Sequence, residues 1–550
     1  MIGKRVALGF VVAVTSLFGF GSAEAGAAKS PASYKVADCY GCHDTIEKLH
    51  AKNKHAKVGC ENCHQGLDKH LADEKSRPVT LTGWEVCGGC HKAQYESFLE
   101  MSYHRPARDE KSQLTGRSPN PFWDKLMMGH GFTKEHNATR SHAWMVVDQF
   151  VVDRSFGGRF QPKNGWHYVA EKPGKTTWEY LVDTHPETNE QKPWIAQSAA
   201  AANPTCMQCK TQDNILDWAY LGDPAAKDAK FSRAFNPVDV ARSVQHALNC
   251  FTCHDPHAAK PRIVRDALIQ ALTRPEADTL WAKDEKRTKI EVVDMGLRGF
   301  PRKIALLEKY DSRLLCGQCH VEYNCNPGTD VKTGQPVKFD DPRTNLFPYK
   351  DVLGLYDHYV NQVAFLDFKH TLTGGLLWKA QHPEAETFYN SKHAKAGVSC
   401  DDCHTPKRQG KDGKTYTSHF AVSPRYQLKE TCLKCHKDLT EETARYTIDS
   451  EKAYIRGKLR KAEFWLSLLI DKIVEGKKAN LAADVIKQAQ DQHLKAHILW
   501  EYWTAENSDG YHNPELARDS LTKSVDESQK GIKIVADAMA PTPPAAAPAK

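Results

Sequence analysis

The chain has little apolar sequence for its length. Only 40% of its 550 residues are hydrophobic, which is below the usual range for a globular chain. After an apolar run at residues 6–20, no stretch approaches the length that a membrane-spanning helix needs. The net charge is only +7, so composition gives no strong case for nucleic acid as a partner. We therefore expect a soluble mature protein that does not bind nucleic acid and has few apolar side chains for its core.

Cysteine, in contrast, is abundant and regularly placed. Sixteen of the 17 cysteines form eight C-x-x-C units, and a histidine directly follows seven of them. The spacing C-x-x-C-H is the attachment signature of c-type haem, in which both thiols bond to the porphyrin and the histidine ligates iron. The seven regular motifs consist of Cys39, Cys42 and His43; Cys60, Cys63 and His64; Cys87, Cys90 and His91; Cys250, Cys253 and His254; Cys316, Cys319 and His320; Cys400, Cys403 and His404; and Cys432, Cys435 and His436.

The fourth unit in chain order differs from the others, because Lys210 follows Cys206 and Cys209. A lysine here changes the axial ligand of one haem only, and axial-ligand identity is a main determinant of haem reactivity. We therefore predict eight covalent haems, with the active site at Lys210 and electron carriers at the other seven. Zinc sites would not need a histidine after every unit, and a disulfide framework suits a small chain rather than this one.

Eight macrocycles would supply the core material that the side chains lack. We expect a mainly α fold with little β structure, a haem-wrapped core and long C-terminal helices. The motif spacing predicts a three-haem domain at 30–145, a catalytic five-haem domain at 146–436 and a helical region at 437–540. A second long helix is predicted at about 482–503, and Asn513 before Pro514 predicts the start of a third. The first long helix is predicted from apolar residues at helical spacing, namely Ile455, Leu459, Ala462, Leu466, Leu469 and Ile473.

Both ends of the chain carry their own signals. Lys4 and Arg5, the apolar run at 6–20 and the small residues Ala23 and Ala25 predict a secretory signal peptide at residues 1–25. A retained membrane anchor is the alternative. Because haem is attached covalently outside the cytoplasm, we expect a periplasmic location. Residues 541–550 are rich in proline and alanine and are expected to be disordered.

Histidines outside the motifs are candidate ligands for the second face of each iron. The chain has 26 histidines, of which seven stand in motifs, so nineteen remain. Residues 53–60 resemble residues 391–400, and each segment has a histidine shortly before a motif, His55 and His393. Seven haems with two histidine ligands would use only seven of the nineteen, so most of these histidines are not ligands.

The motif order resembles that of the pentahaem cytochrome c nitrite reductases, from about residue 150 onward. That family has a lysine-ligated motif followed by four C-x-x-C-H motifs, the order found at residues 206–436. It also has a Glu-Tyr pair after the second of those four, here Glu322 and Tyr323, and a Lys-x-Gln-His-Pro-Glu segment, here residues 379–384. Three additional N-terminal motifs, together with Cys325 close behind Tyr323, resemble the octahaem nitrite reductases more narrowly.

The resemblance implies a role for each matching residue. Lys210 would be the proximal ligand of an iron whose distal face is open. The distal pocket would contain Arg154, Tyr323 and His382, with Arg154 preferred over Arg159. Calcium would be bound by Glu322, Tyr323, Lys379 and Gln381, with Tyr323 and Lys379 contributing backbone carbonyls, an oxygen set suited to a hard cation. Distal haem ligands would be His419 for the fifth motif, His142 for the sixth, His512 for the seventh and His393 for the eighth, with His55, His70 and His104 serving the first three.

The implied reaction is the six-electron reduction of nitrite to ammonia, with electrons from a periplasmic or membrane quinol-linked donor. Arginine would attract the anion and histidine would deliver protons. An electron-transfer cytochrome without its own substrate is the alternative from another class. Conversion of hydroxylamine, tetrathionate or sulfite by an octahaem enzyme is a further alternative. The resemblance also implies a homo-oligomer formed through the C-terminal helices, and a thioether bond between Cys325 and Tyr323.

Overall fold

The computed structural model describes residues 34–100, 209, 215, 246, 248–274, 278–297, 301–324, 328–337, 341–370 and 372–541. Helices dominate these ranges and most strands have only two to four residues, in line with the predicted mainly α fold. In the described part of the chain, no helix has the length and apolar character needed to cross a membrane. The predicted signal peptide and residues 542–550 lie outside these ranges, as do six predicted site residues, His104, His142, Arg154, Cys206, Lys210 and Cys325.

Residues 34–100 form short helices around three of the motifs. Strands β1 (His64–Gln65) and β2 (Val79–Thr80) pair antiparallel, with His64 opposite Thr80. Each helix has seven residues or fewer, and the motifs occupy the helix ends and the turns between them. The helices are α1 (Val36–Tyr40), α2 (Asp44–His50), α3 (Leu67–Ala72), α4 (Trp84–Gly88) and α5 (Lys92–Phe98).

A four-stranded antiparallel sheet follows the fifth motif. It consists of β3 (His254–Asp255), β4 (Lys260–Ile263), β5 (Ile290–Leu297) and β6 (Pro301–Leu307), in the order β3-β4-β6-β5. Ile263, Ile304 and Leu306 are buried in it. Three helices flank these strands in the chain, α6 (Asp266–Thr273), α7 (Leu280–Lys283) and α8 (Ser312–Cys316).

The region from 328 to 436 combines loops and short helices with strands of two or three residues. Antiparallel pairs join β7 (Thr329–Asp330) to β8 (Phe365–Leu366), β9 (Phe368–Lys369) to β10 (Leu376–Leu377), and β11 (Lys407–Gln409) to β12 (Thr415–Thr417). After β10 the chain continues directly into residues 379–384. The helices here are α9 (Leu355–Asp357), α10 (Glu384–Tyr389), α11 (Lys392–Lys395), α12 (Cys400–His404) and α13 (Cys432–Cys435).

Three long helices complete the chain, α14 (Glu441–Lys478), α15 (Ala483–Ala505) and α16 (Pro514–Met539). They confirm the three helices predicted from apolar spacing and from Asn513, whose side chain accepts the backbone N–H of Leu516 at 3.2 Å. A Cβ atom at Gly531 would lie 2.6 Å from Leu469 Cδ1, so glycine permits close approach of α16 to α14. Trp503 of α15 packs in the same buried cluster as Trp378, just before the predicted site loop.

Candidate functional site

The C-x-x-C-H motifs have a common backbone form. In several of them the histidine N–H donates to the carbonyl of the first cysteine, which closes one helical turn over the motif. These bonds measure 3.1 Å at His43, 2.9 Å at His91, 2.9 Å at His320 and 2.9 Å at His436. The turn therefore holds the two thiols and the imidazole within one short segment.

Six motif histidines face a second histidine at nearly constant spacing. An iron bound to two imidazole nitrogens at about 2 Å each would separate the ring centroids by roughly 6 Å. The centroid distances are 6.0 Å for His43 and His70, 6.1 Å for His91 and His55, 6.3 Å for His64 and His257, 6.3 Å for His254 and His419, 6.2 Å for His404 and His512, and 6.3 Å for His436 and His393. Five of the partners were predicted from sequence, and His257 was not.

Spacing alone does not identify an iron site. His493 and His497 also lie 6.0 Å apart, but they sit one turn apart on α15 and neither belongs to a C-x-x-C unit. The six pairs differ because one member of each is the fifth residue of a motif. The combination of motif and spacing is therefore the distinguishing feature.

Many of these imidazoles are also anchored through Nδ1, which directs Nε2 towards the partner ring. Histidines that bind metals usually hold their second ring nitrogen in this way, because it fixes ring orientation. The Nδ1 contacts are His70 with Ser76 O at 2.8 Å, His55 with Pro256 O at 2.7 Å, His64 with Thr80 Oγ1 at 3.2 Å, His419 with Thr417 O at 3.0 Å, His404 with Val422 O at 3.2 Å and His512 with Glu506 Oε1 at 2.6 Å.

Thiol contacts show which motifs are neighbours. Cys39 lies close to Cys60, Cys87 lies close to Cys250, and Cys316 lies close to Cys400. The first motif therefore adjoins the second, the third adjoins the fifth, and the sixth adjoins the seventh.

Gln318, a fully buried residue inside the sixth motif, links two further motifs. Its backbone carbonyl accepts from Cys209 Sγ at 3.8 Å, and its side-chain amide donates to Cys253 Sγ at 3.9 Å. Cys209 belongs to the lysine motif. The fourth, fifth and sixth motifs therefore meet around Gln318.

Glu322 connects the Glu322-Tyr323 pair to residues 379–384, the two segments identified in the sequence. Its Oε2 accepts the backbone N–H of Gln381 at 2.7 Å. Its own N–H donates to Glu386 Oε1 at 2.9 Å. Tyr323 is buried next to Phe347, with ring centroids 5.8 Å apart. The Glu322-Tyr323 pair is thus joined directly to the loop at 379–384.

The same loop is surrounded by buried carboxylates that the sequence did not reveal. The N–H of Lys379 donates to Asp367 Oδ2 at 2.9 Å, and the N–H of Ala380 donates to Glu501 Oε1 at 3.3 Å. Burial raises the pKa of Glu322 well above its usual value, and the nearby Glu386, Asp367 and Glu501 raise it further. Of these carboxylates, only Glu386 had a signal in the sequence, because it lies four residues after His382.

A second chain of hydrogen bonds leads to His382. Glu384 Oε2 lies 3.0 Å from His320 Nδ1, while its Oε1 accepts the side-chain amide N–H of Asn507 at 2.6 Å. The same Asn507 nitrogen lies 3.3 Å from His382 Nδ1. A carboxylate can only accept, so this contact orients the amide with its NH2 group towards Glu384 and His382. Asn507, which follows α15, was not predicted from sequence.

His382 also stands opposite a motif histidine. Its ring centroid is 6.4 Å from that of His320, with the ring planes at 69°. His142, the predicted partner of His320, lies outside the described residues. By motif and spacing His382 is thus a candidate ligand on this side of His320, and His142 stays a prediction from the sequence.

The sequence model of the cytochrome c552 family matches residues 163–547, more than half of the chain. The chain belongs to the cytochrome c552 family. It is similar to the cytochrome c nitrite reductase subunit NrfA of Nitratidesulfovibrio vulgaris, at 28% identity over 439 residues, covering 77% of this chain and 70% of the relative. It is also similar to a cytochrome c-552 of Haemophilus influenzae, at 27% identity over 433 residues, covering 76% of this chain and 68% of the relative.

A solved structure shares the fold of this cytochrome c552 family member. The catalytic subunit NrfA of Desulfovibrio desulfuricans cytochrome c nitrite reductase, described with two calcium sites, superposes with a TM-score of 0.52 at 24% identity, covering 83% of this chain and 86% of that one. The family match begins at residue 163 and thus includes the five motifs at 206–436 but not the three at 39–91.

Proposed function

We propose that this member of the cytochrome c552 family is an ammonia-forming nitrite reductase with eight covalent c-type haems and a calcium ion. It would act in the periplasm as a homo-oligomer and take electrons from a quinol-linked donor. The observation that carries the proposal is the bond from Glu322 to Gln381, which joins the Glu-Tyr pair to the Gln-His-Pro-Glu segment. The similarity to two nitrite reductase subunits supports the same substrate.

The chain's residues fit the haem groups. Six histidine pairs have the spacing that an iron between them needs, and each includes a C-x-x-C-H histidine. When bound, the haem at Cys206, Cys209 and Lys210 would supply an open coordination position and electrons for the reduction. The remaining residues of the site would bind, orient and protonate the substrate.

His382 has the local chemistry of a proton donor. Because the Asn507 amide faces Nδ1 with its N–H, Nδ1 acts as the acceptor and the proton of the neutral ring sits on the buried Nε2. That proton is the one available to a substrate oxygen, which must leave as water. Arg154 would attract the nitrite anion with its permanent charge, and Tyr323 would add a hydroxyl donor.

The buried carboxylates fit a calcium ion. Among the described residues, Oε1 of the fully buried Glu322 has no hydrogen-bond partner, and the carboxylates of Glu386, Asp367 and Glu501 lie near it. A divalent ion would offset this charge. Within the described ranges, no three His, Cys, Asp or Glu side chains converge as a metal site would require. The ion would therefore depend on the backbone carbonyls of Tyr323 and Lys379 and on Gln381.

Product analysis tests the proposed reaction. Purified holoprotein with a reduced dye as donor should convert nitrite to ammonium with six electrons consumed per nitrite. Tyr323→Phe should lower this turnover, whereas Tyr356→Phe, which removes a hydroxyl bonded to Asp491 elsewhere, should not. A fully loaded protein that leaves nitrite unchanged would favour the electron-transfer alternative.

A spin-state measurement separates the two possible roles of His382. If His142 ligates the sixth haem and His382 serves the substrate, His382→Asn should slow turnover while the number of low-spin irons stays constant. Electron paramagnetic resonance of the oxidised protein provides that number. Loss of one low-spin iron in this variant would mean that His382 binds the iron beside His320.

A further inference from the structure

The turn between β3 and β4 contacts three different motifs. His254 at its start is the last residue of the fifth motif. The carbonyl of Pro256 lies 2.7 Å from Nδ1 of His55, which faces His91 of the third motif. His257 within the turn faces His64 of the second motif, with ring centroids 6.3 Å apart and planes within 11° of parallel.

His257 is held in this position by a buried network. The N–H groups of His257 and Ala258 donate to Asp255 Oδ1, at 3.0 and 2.6 Å. Asp255 in turn pairs with the buried Arg262 at 2.7 Å. A buried ion pair with additional N–H donors is costly to break, so the backbone at 257 is well defined.

His64 is oriented through its Nδ1 atom. Its Nδ1 lies 3.2 Å from Thr80 Oγ1 across the β1–β2 pair. Nε2 therefore points away from that strand, and the His257 ring lies at iron-binding distance. With His70 facing His43 and His55 facing His91, the remaining predicted ligand for the first three haems was His104, which lies outside the described residues.

We infer that His257 is the distal axial ligand of the haem attached at Cys60 and Cys63, a residue outside the set of His55, His70 and His104 that the sequence suggested for the first three haems. This inference rests on the haem attachment in the proposed function but not on nitrite as substrate. It makes residues 254–257 a junction that provides ligands to the second and fifth haems and orients a ligand of the third. The proximity of Cys87 to Cys250 agrees with this junction.

The experiment counts high-spin irons in the oxidised holoprotein by electron paramagnetic resonance and resonance Raman spectroscopy. Wild type should have one, at the lysine-ligated haem. His257→Ala should have two, and added imidazole should convert the additional iron to low spin by occupying the vacated position. His257→Met should instead keep a low-spin iron and raise the midpoint potential of one haem, because a thioether is the weaker donor. Peptide mass analysis confirms haem at Cys60 and Cys63 in each variant.

His50→Ala is the matched control, since His50 is a buried histidine near His257 whose Nδ1 bonds the Tyr40 hydroxyl at 2.8 Å. Its high-spin count should equal that of wild type. Unchanged counts and potentials in both His257 variants would overturn the inference, as would the absence of haem at Cys60 and Cys63. A loaded protein with these spin changes but no nitrite turnover would refute the proposed reaction and leave the ligand assignment intact.

Discussion

Replacing Glu322 with glutamine should abolish calcium binding while keeping the local fold. Glutamine retains a carbonyl oxygen that can accept the N–H of Gln381, which Glu322 accepts at 2.7 Å. It lacks the negative charge that a divalent cation needs. At calcium one hundredfold above its dissociation constant, ligand binding stabilises a folded protein by about 2.7 kcal/mol. For a chain of 550 residues this corresponds to a rise in Tm of roughly 2 °C.

Differential scanning calorimetry of chelator-treated protein, with and without calcium, measures this shift. Wild type should show the calcium-dependent rise in Tm, and Glu322→Gln should not. Nitrite turnover by Glu322→Gln should be low and should not respond to calcium. Glu463→Gln is the control, because Glu463 is equally buried but lies in α14. It should keep the wild-type calcium response. An undiminished calcium shift in Glu322→Gln would refute the assignment of the site to this carboxylate.

Three further outcomes are expected. Burial raises the pKa of Glu463 from 4.5 to about 7, so its contribution to stability is present below pH 4.5 and is lost as pH rises through 7. Between pH 5 and 8 the free energy of unfolding of Glu463→Gln should therefore rise relative to that of wild type, by up to about 3 kcal/mol. Measuring Tm as a function of pH for both proteins tests this. Glu506→Gln should raise the midpoint potential of one haem in spectroelectrochemical titration, because the neutral amide accepts the His512 Nδ1–H more weakly than the carboxylate does, and an unchanged titration would contradict this. Peptide mapping of active enzyme should give a Tyr323–Cys325 peptide lighter by two hydrogens, and full alkylation of Cys325 would exclude the thioether.

Local sequence signals predicted the C-terminal region well. Apolar residues at helical spacing predicted α14, and the cap formed by Asn513 and Pro514 predicted the start of α16. The helix between them, α15, was also expected at about residues 482–503. These signals depend only on residues a few positions apart, so no tertiary information is needed. His55 and His393 were also identifiable, because each precedes a motif in a similar short segment.

The parts that sequence did not predict depend on contacts between distant segments. His257 faces His64 only because the β3–β4 turn packs against residues 34–100. Asn507 reaches His382, and Glu501 reaches the same loop, because α15 covers residues 379–384. A lone histidine, asparagine or glutamate has no local pattern that distinguishes it from a surface residue. Their roles therefore emerge only from tertiary packing.

The histidine pairs also bear on the topology of the folded chain. His64 and His257 are separated by 193 positions and His404 and His512 by 108, and an iron bound between such residues closes a long loop. A cross-link of the longer span lowers the entropy of the unfolded chain by an amount equivalent to about 5 kcal/mol, by analogy with disulfides. Unlike a disulfide, this link opens when the imidazole is protonated. Acid would then release the loops one by one, and the chain would unfold in steps set by its iron ligands, although its thioether bonds remain intact.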